Sequence, residues 1–190
     1  MRGPMLTFSP ESHTYKLDGK VLPGVSEILK GMGFIPAYRD DGGLAVNYGT
    51  IVHKTLELLD NNALESFDPA IEPLVKKYVE WKKNFGIYEM SVEKQCCCET
   101  YAGCLDRLAY LENDIVVIDI KTGNPYSWHK WQLAGYGGLC KATKYGCLYV
   151  SNEKCEFVEY PVTDEMIEEF QVLAQAYVIR KKYKFRKDLE

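Results

Sequence analysis

Two different hydrophobic periods divide this chain. Over residues 49–85 the apolar positions recur every three to four residues, and over residues 90–121 they alternate with polar ones. The opening residues 5–22 predict a small hairpin, with Tyr15 and Leu17 alternating against polar neighbours and Asp18-Gly19 forming a turn pair. Pro23-Gly24 breaks the chain, and Ser26 stands where it can cap a short helix through Ile28, Leu29 and Met32. Gly31, Gly33 and Pro36 end that helix, and Asp40-Asp41-Gly42-Gly43 predict a flexible connection.

Residues 49–60 predict a helix with Ile51, Val52, Leu56 and Leu59 on a broad apolar face. A second helix spans residues 70–85, burying Ile71, Leu74, Val75, Tyr78 and Trp81, and Gly86 stops it. Residues 90–99, 101–111 and 114–121 then predict three consecutive antiparallel strands, with Glu112-Asn113 as one of the tight turns. A helix follows over residues 127–140. Its Gly135, Gly137 and Gly138 each cost about 1 kcal/mol relative to alanine, which makes sense if the helix lies tightly against a sheet. Strand pattern returns over 145–150 and 153–160. Thr163 caps a closing helix that has Asp164 and Glu165 in its first turn and basic residues in its last. The expected fold class is α/β, a mixed central sheet flanked by helices in a single domain over residues 1–190, with residues 1–48 as an accessory segment.

Composition narrows the function classes. At 190 residues, 46% hydrophobic and 26% charged, the chain is long enough for a core without disulfide staples. No apolar run reaches transmembrane length and no signal pattern opens the chain, so the expectation is a cytoplasmic protein without a membrane partner. A net charge of −4 argues against binding nucleic acid through bulk charge. Basic residues nevertheless crowd the carboxyl end, at Arg180, Lys181, Lys182, Lys184, Arg186 and Lys187, as either a solvated helix end or a phosphate-contacting arm. The seven cysteines show no paired C-x-x-C spacing. Alternation sends Cys97 to the face opposite Cys96 and Cys98, so reduced, core-filling thiols are expected rather than a zinc ribbon or an iron–sulfur cluster.

The candidate chemistry sits in Gly103-Cys104-Leu105-Asp106 and Asp119-Ile120-Lys121-Thr122. Strand residues two apart share a face, so Asp119 and Lys121 lie together and Ile120 points away. With Asp106 on the neighbouring strand, two carboxylates and a lysine converge. Hard oxygen donors suit Mg²⁺ or Mn²⁺, and the carbonyl of Ile120 is a third candidate ligand. An ordinary Asp–Lys pair at a strand end is the alternative.

The order of four short motifs resembles the PD-(D/E)XK nuclease superfamily, in its RecB-like exonuclease branch. They stand as Gly49-Thr50-Ile51-Val52-His53, Gly103-Cys104-Leu105-Asp106, Asp119-Ile120-Lys121-Thr122 and Gln132-Leu133-Ala134-Gly135-Tyr136. The resemblance implies a restriction-endonuclease-like core. It also implies His53, Asp106, Asp119 and the Ile120 carbonyl as ligands of Mg²⁺ or Mn²⁺, Lys121 as the catalytic lysine, and Gln132 and Tyr136 as supporting or DNA-contacting groups. Leu105 stands where the superfamily's naming proline would be. The opening Leu22-Pro23-Gly24-Val25-Ser26-Glu27-Ile28-Leu29 is similar to that of small phage-type and mitochondrial genome-maintenance exonucleases, with Gly24 in place of their serine.

Two further carboxylates lie near these positions: Glu57 beside His53 on its helix, and Glu93, expected as a solvated charge. The expected activity is a metal-dependent DNA exonuclease acting at single-stranded ends in phage or bacterial recombination and repair, alongside a recombination or single-strand-annealing protein. Tyr38, Tyr48, Trp128 and Trp131 are candidate stacking surfaces for unpaired bases. The alternatives are a non-catalytic nucleic-acid-binding protein on the same fold and a structure-specific endonuclease.

Overall fold

In a computed structural model of the chain, residues 4–36 and 44–183 are described. The period-two half of the sequence forms one five-stranded sheet. Its strands are β4 (Glu89–Cys97), β5 (Ala102–Tyr110), β6 (Ile115–Lys121), β7 (Lys144–Val150) and β8 (Cys155–Glu159), in that spatial order. Pairing is antiparallel except between β6 and β7, which run parallel in the register Asp119↔Cys147. A parallel pair needs a crossover, and helix α4 (His129–Gly137) supplies it.

The alternation along β6 sorts its side chains between two cores. Val116, Ile118 and Ile120 pack with Val52 and Leu56 of α2 (Leu44–Asp60) and with Leu74, Val75 and Tyr78 of α3 (Glu72–Asn84). Val117 joins the opposite core, formed by Val25, Ile28 and Leu29 of α1 (Val25–Gly31), Leu133 and Ala134 of α4, and Phe170 and Ala174 of α5 (Asp164–Tyr183). The result is an α/β fold with its mixed sheet sandwiched between helices, as expected from the sequence.

Four expectations change in detail. The opening segment is not a hairpin but a three-stranded sheet of β1 (Leu6–Ser9), β2 (Thr14–Leu17) and β3 (Lys20–Leu22). Gly24, not Ser26, is the N-cap of α1, and the Glu27 carboxylate accepts from the Gly24 N–H at 3.3 Å. Helix α2 begins at Leu44, earlier than the apolar face suggested. The glycines of α4 serve close approach to other helices more than to the sheet. A Cβ on Gly135 would lie 2.8 Å from Phe170 and 2.9 Å from Val25, and one on Gly137 would lie 2.8 Å from Ile167. Tyr38 and Asp40-Asp41-Gly42-Gly43 fall outside the described residues, as do Lys184, Arg186 and Lys187.

Two of the remaining basic residues of the carboxyl end reach across to α1. Arg180 donates to the Gly31 carbonyl at 2.5 Å, and Lys181 reaches Glu27 at 2.6 Å, so both tie α5 to α1. All seven cysteines are free thiols. Cys96 and Cys98 pack on the α1/α4/α5 core, while Cys97 packs on the opening sheet with Tyr15 and Leu22, as alternation requires.

Candidate active site

The site forms where the regular ladder gives out. The pairing of β5 with β6 runs from Tyr110↔Ile115 to Arg107↔Ile118 and then ends. One residue further along, the Asp106 carboxylate takes the place of a backbone acceptor and receives the Ile120 N–H at 2.7 Å. On the other side of β5 the β4 ladder skips the pair that would face each other, Glu93 and Asp106, and Glu93 adopts φ +49°. Leu105 and Leu108, three apart, both pack on the α1/α4/α5 core, so the alternation of faces slips at Asp106. A non-glycine residue in the left-handed region is uncommon in a strand and tends to mark function.

Asp119 and Lys121 share the face turned toward α4, as the strand period predicts. Asp119 is 2% exposed, and its carboxylate pairs directly with the Lys121 ammonium. Lys121 also donates to the Gln132 amide oxygen at 2.9 Å, and Gln132 in turn donates to the Tyr136 hydroxyl at 2.9 Å. The spacing of four puts Gln132 and Tyr136 on one helix face, and both are buried.

Two motif glycines have a steric explanation. A Cβ on Gly103 would lie 3.1 Å from the Tyr136 ring, and one on Gly49 would lie 3.3 Å from the Thr122 hydroxyl. Gly103 therefore admits Tyr136, and Gly49 lets α2 approach the end of β6.

From α2, His53 brings Nδ1 to 3.5 Å from Asp106 Oδ2. All of these line one cavity of about 200 Å³, which His53, Asp106, Asp119, Lys121, Gln132 and Tyr136 share with Glu93, His13 and Tyr15. Glu93 is thus a cavity residue, not a solvated charge. Burial and the neighbouring Asp106 raise its pKa against the pull of Cys104 and Arg107. Glu57 lies in an adjoining groove with His53, Glu93 and Asp106, and its carboxylate is paired with Lys54 at 2.7 Å.

The electrostatics show a shortage of positive charge. Burial and then Asp106 push the Asp119 carboxyl up, against the opposing pull of Lys121. For Lys121 burial works against the charge, but Asp119 and Asp106 outweigh it and hold the pKa above its usual value, so the ammonium keeps its proton. Among the described residues no three His, Cys, Asp or Glu side chains are already drawn to metal-binding distance around one point. The donor chemistry nevertheless suits a hard divalent cation. Three carboxylates and two imidazoles, His53 and His13, face a cavity in which the Lys121 ammonium is the balancing charge, and added positive charge would relieve both raised carboxyls.

Sequence reasoning missed His13 and Tyr15. Both come from the opening sheet, and nothing local marks them. The only signal is the polar residue of a short loop at His13, where φ is +47° and the exposed ring sits edge-on to Phe8 and Tyr15. Of the aromatic candidates, Tyr48 is 38% exposed on α2, and Trp131 packs edge-on to Phe34. Trp128 places its ring centroid 5.4 Å from Lys121 Nζ.

Comparison with known proteins gives a likeness of fold only. No protein-family model matches the chain. No curated protein matches it either. Among solved structures, SSO0001 is similar at 20% identity and a TM-score of 0.43, over 81% of this chain and 65% of that one. The chain thus spans a little under two thirds of that protein's length. An alkaline exonuclease from Laribacter hongkongensis, LHK-Exo, is similar at 11% identity and a TM-score of 0.47, over 86% of this chain and 89% of that one. The same enzyme in complex with dAMP gives 12% identity and a TM-score of 0.44 over the same shares. No described helix is long and apolar enough to cross a membrane.

Proposed function

We propose that this protein is a Mg²⁺- or Mn²⁺-dependent deoxyribonuclease that hydrolyses phosphodiester bonds from single-stranded ends, in the setting of phage or bacterial DNA recombination and repair. One observation carries the reading. A lysine ammonium is clamped between a buried carboxylate and a buried amide at the floor of a cavity walled by two further carboxylates and two histidines. A structural ion pair has no need of the surrounding acceptors or of the open volume.

Asp106, Asp119 and His53 would hold the metal, with the Ile120 carbonyl as a fourth donor. When bound, the metal supplies Lewis acidity toward a phosphate oxygen and a water. Lys121 keeps its proton, so it acts as a donor to negative charge growing on the phosphoryl group and not as a base. Gln132 fixes the direction of that ammonium, and Tyr136 fixes Gln132. Asp119 holds Lys121 at the cavity floor until substrate competes for it.

Digestion of end-labelled single- and double-stranded DNA with Mg²⁺, Mn²⁺ or chelator tests the proposal. The expected result is metal-dependent release of short products, fastest from single strands, and a loss of at least about 10²-fold in Lys121→Ala. Undiminished cleavage by Lys121→Ala, or cleavage in chelator, overturns it. Cutting of a circular single strand would replace the exonuclease reading with the endonuclease one.

A further inference from the structure

The loop after Lys121 carries an aromatic pair that the chemistry above does not use. Tyr126 and Trp128 hold their rings within 11° of parallel, with centroids 6.3 Å apart. Both stand nearly perpendicular to His129, at 87° and 81°. His129 is itself fixed, because its Nδ1 lies 2.7 Å from the Tyr149 hydroxyl and 3.3 Å from the Tyr126 N–H. A backbone N–H can only donate, so Nδ1 is an acceptor and the Tyr149 hydroxyl donates to it. Two rings held parallel by a third, with Tyr126 47% exposed, form a preset and open apolar face.

Its position gives that face a partner. Trp128 carries the Lys121 ammonium over its ring, 5.4 Å from the centroid, and stacks with the exposed Tyr126, so the open aromatic face stands one ring away from a cation for phosphate. The same alternation continues at Trp131, whose ring lies 5.8 Å from Lys130 Nζ. Cations beside aromatic faces suit single-stranded nucleic acid, in which each phosphate carries an unstacked base. They do not suit a duplex, whose bases are already stacked and enclosed.

We propose that Tyr126 and Trp128 form a stacking platform for an unpaired nucleobase next to the phosphate at Lys121, and that this platform selects single-stranded ends. The inference rests on the nuclease reading for the placement of that phosphate, but base stacking can be measured without cleavage. The experiment is binding of the full chain, in chelator, to short labelled oligonucleotides: single-stranded, blunt duplex, and single-stranded with abasic sites in the terminal positions. Tyr126→Ala is expected to weaken binding of the intact single strand by about five- to a hundredfold. It should leave abasic and duplex binding unchanged, and Tyr126→Phe should bind like the parent. Trp128 is half-buried, so Trp128→Leu is paired with a melting curve to confirm that the variant is folded. An equal loss on abasic DNA, or wild-type binding that ignores abasic substitution or fails altogether, overturns the platform. Base-dependent binding by a protein that never cleaves upholds the platform and removes the nuclease reading. Cleavage without base dependence does the reverse.

Discussion

The Gln132 amide oxygen accepts a hydrogen bond from the Lys121 ammonium at 2.9 Å while its amide nitrogen donates to the Tyr136 hydroxyl at the same distance. Lysine has a flexible four-carbon stem, so its aim depends on such partners. Gln132→Leu should lower cleavage by about ten- to a hundredfold, the usual cost of removing a supporting partner of a catalytic group. Tyr136→Phe removes only the acceptor behind Gln132 and should cost less. Steady-state rates with an end-labelled single strand, taken beside melting curves, check both.

The three carboxylates of the cavity need positive charge, and a ligand that binds only the native state must stabilise it. Addition of Mn²⁺ to the chelated protein should therefore raise Tm in a concentration-dependent way. Asp106→Asn should abolish the rise, because it removes a proposed ligand. A scan across metal concentrations with Ca²⁺ and Zn²⁺ alongside checks the preference.

His129 is 2% exposed, and burial, reinforced by the positive charge of Lys121, lowers its pKa to about 4. The unfolded chain takes up that proton near pH 6.5, so between about 6.5 and 4 the unfolded state binds more protons than the fold does. Stability from this group is complete above that window and falls as the pH drops through it, by roughly 3 kcal/mol in total. Denaturant titrations at pH 7 and pH 4.5 should show the decline, and His129→Gln should flatten it.

Gly135 sits where α4, α1 and α5 meet, with Phe170 and Val25 already inside the space a methyl would need. Alanine is the better helix former by about 1 kcal/mol. Overpacking at this junction costs about 1–3 kcal/mol, so Gly135→Ala should lower stability on balance. Denaturation midpoints compared with those of a solvent-facing control substitution on α5 decide the sign.

Asp60 has no exposed side-chain surface and accepts from Tyr78 at 2.6 Å, Lys82 at 2.6 Å and Arg107 at 2.7 Å. Asp60→Ala would take from the buried Arg107 guanidinium its nearest carboxylate and leave it only Glu93, at 3.7 Å, and the expected loss is about 3–5 kcal/mol. Because Asp60 closes the helix that bears His53 and Arg107 adjoins Asp106, residual cleavage should fall further than stability alone requires. Urea denaturation and rates measured at low temperature separate the two effects.

The legible parts were those governed by local rules. The period of two placed Asp119 and Lys121 on one face and Ile120 on the other, and the period of 3.6 placed Gln132 beside Tyr136. What stayed hidden was set by contacts far apart in the chain. Glu93 looked like a strand-surface charge because its left-handed backbone, opposite Asp106, has no residue-type signature. The α4 glycines pointed to close packing, but their partners, Phe170, Val25 and Ile167, could not be read from spacing. His13 lies forty residues before His53 in sequence yet borders the same cavity.

The Ala102 N–H donates to the Pro23 carbonyl at 3.0 Å, and Gly24 and Ala102 form a lone parallel bridge. That stitch falls one residue before Gly103, where the strand bearing Asp106 begins its run to the site. The segment that follows the opening sheet is thus fastened to the frame of the site itself. The opening sheet, which brings His13 and Tyr15 to the cavity, is thereby held in register with the strand that brings Asp106. A change that loosened this stitch would therefore move one wall of the cavity against the other while the five-stranded sheet kept its own pairing.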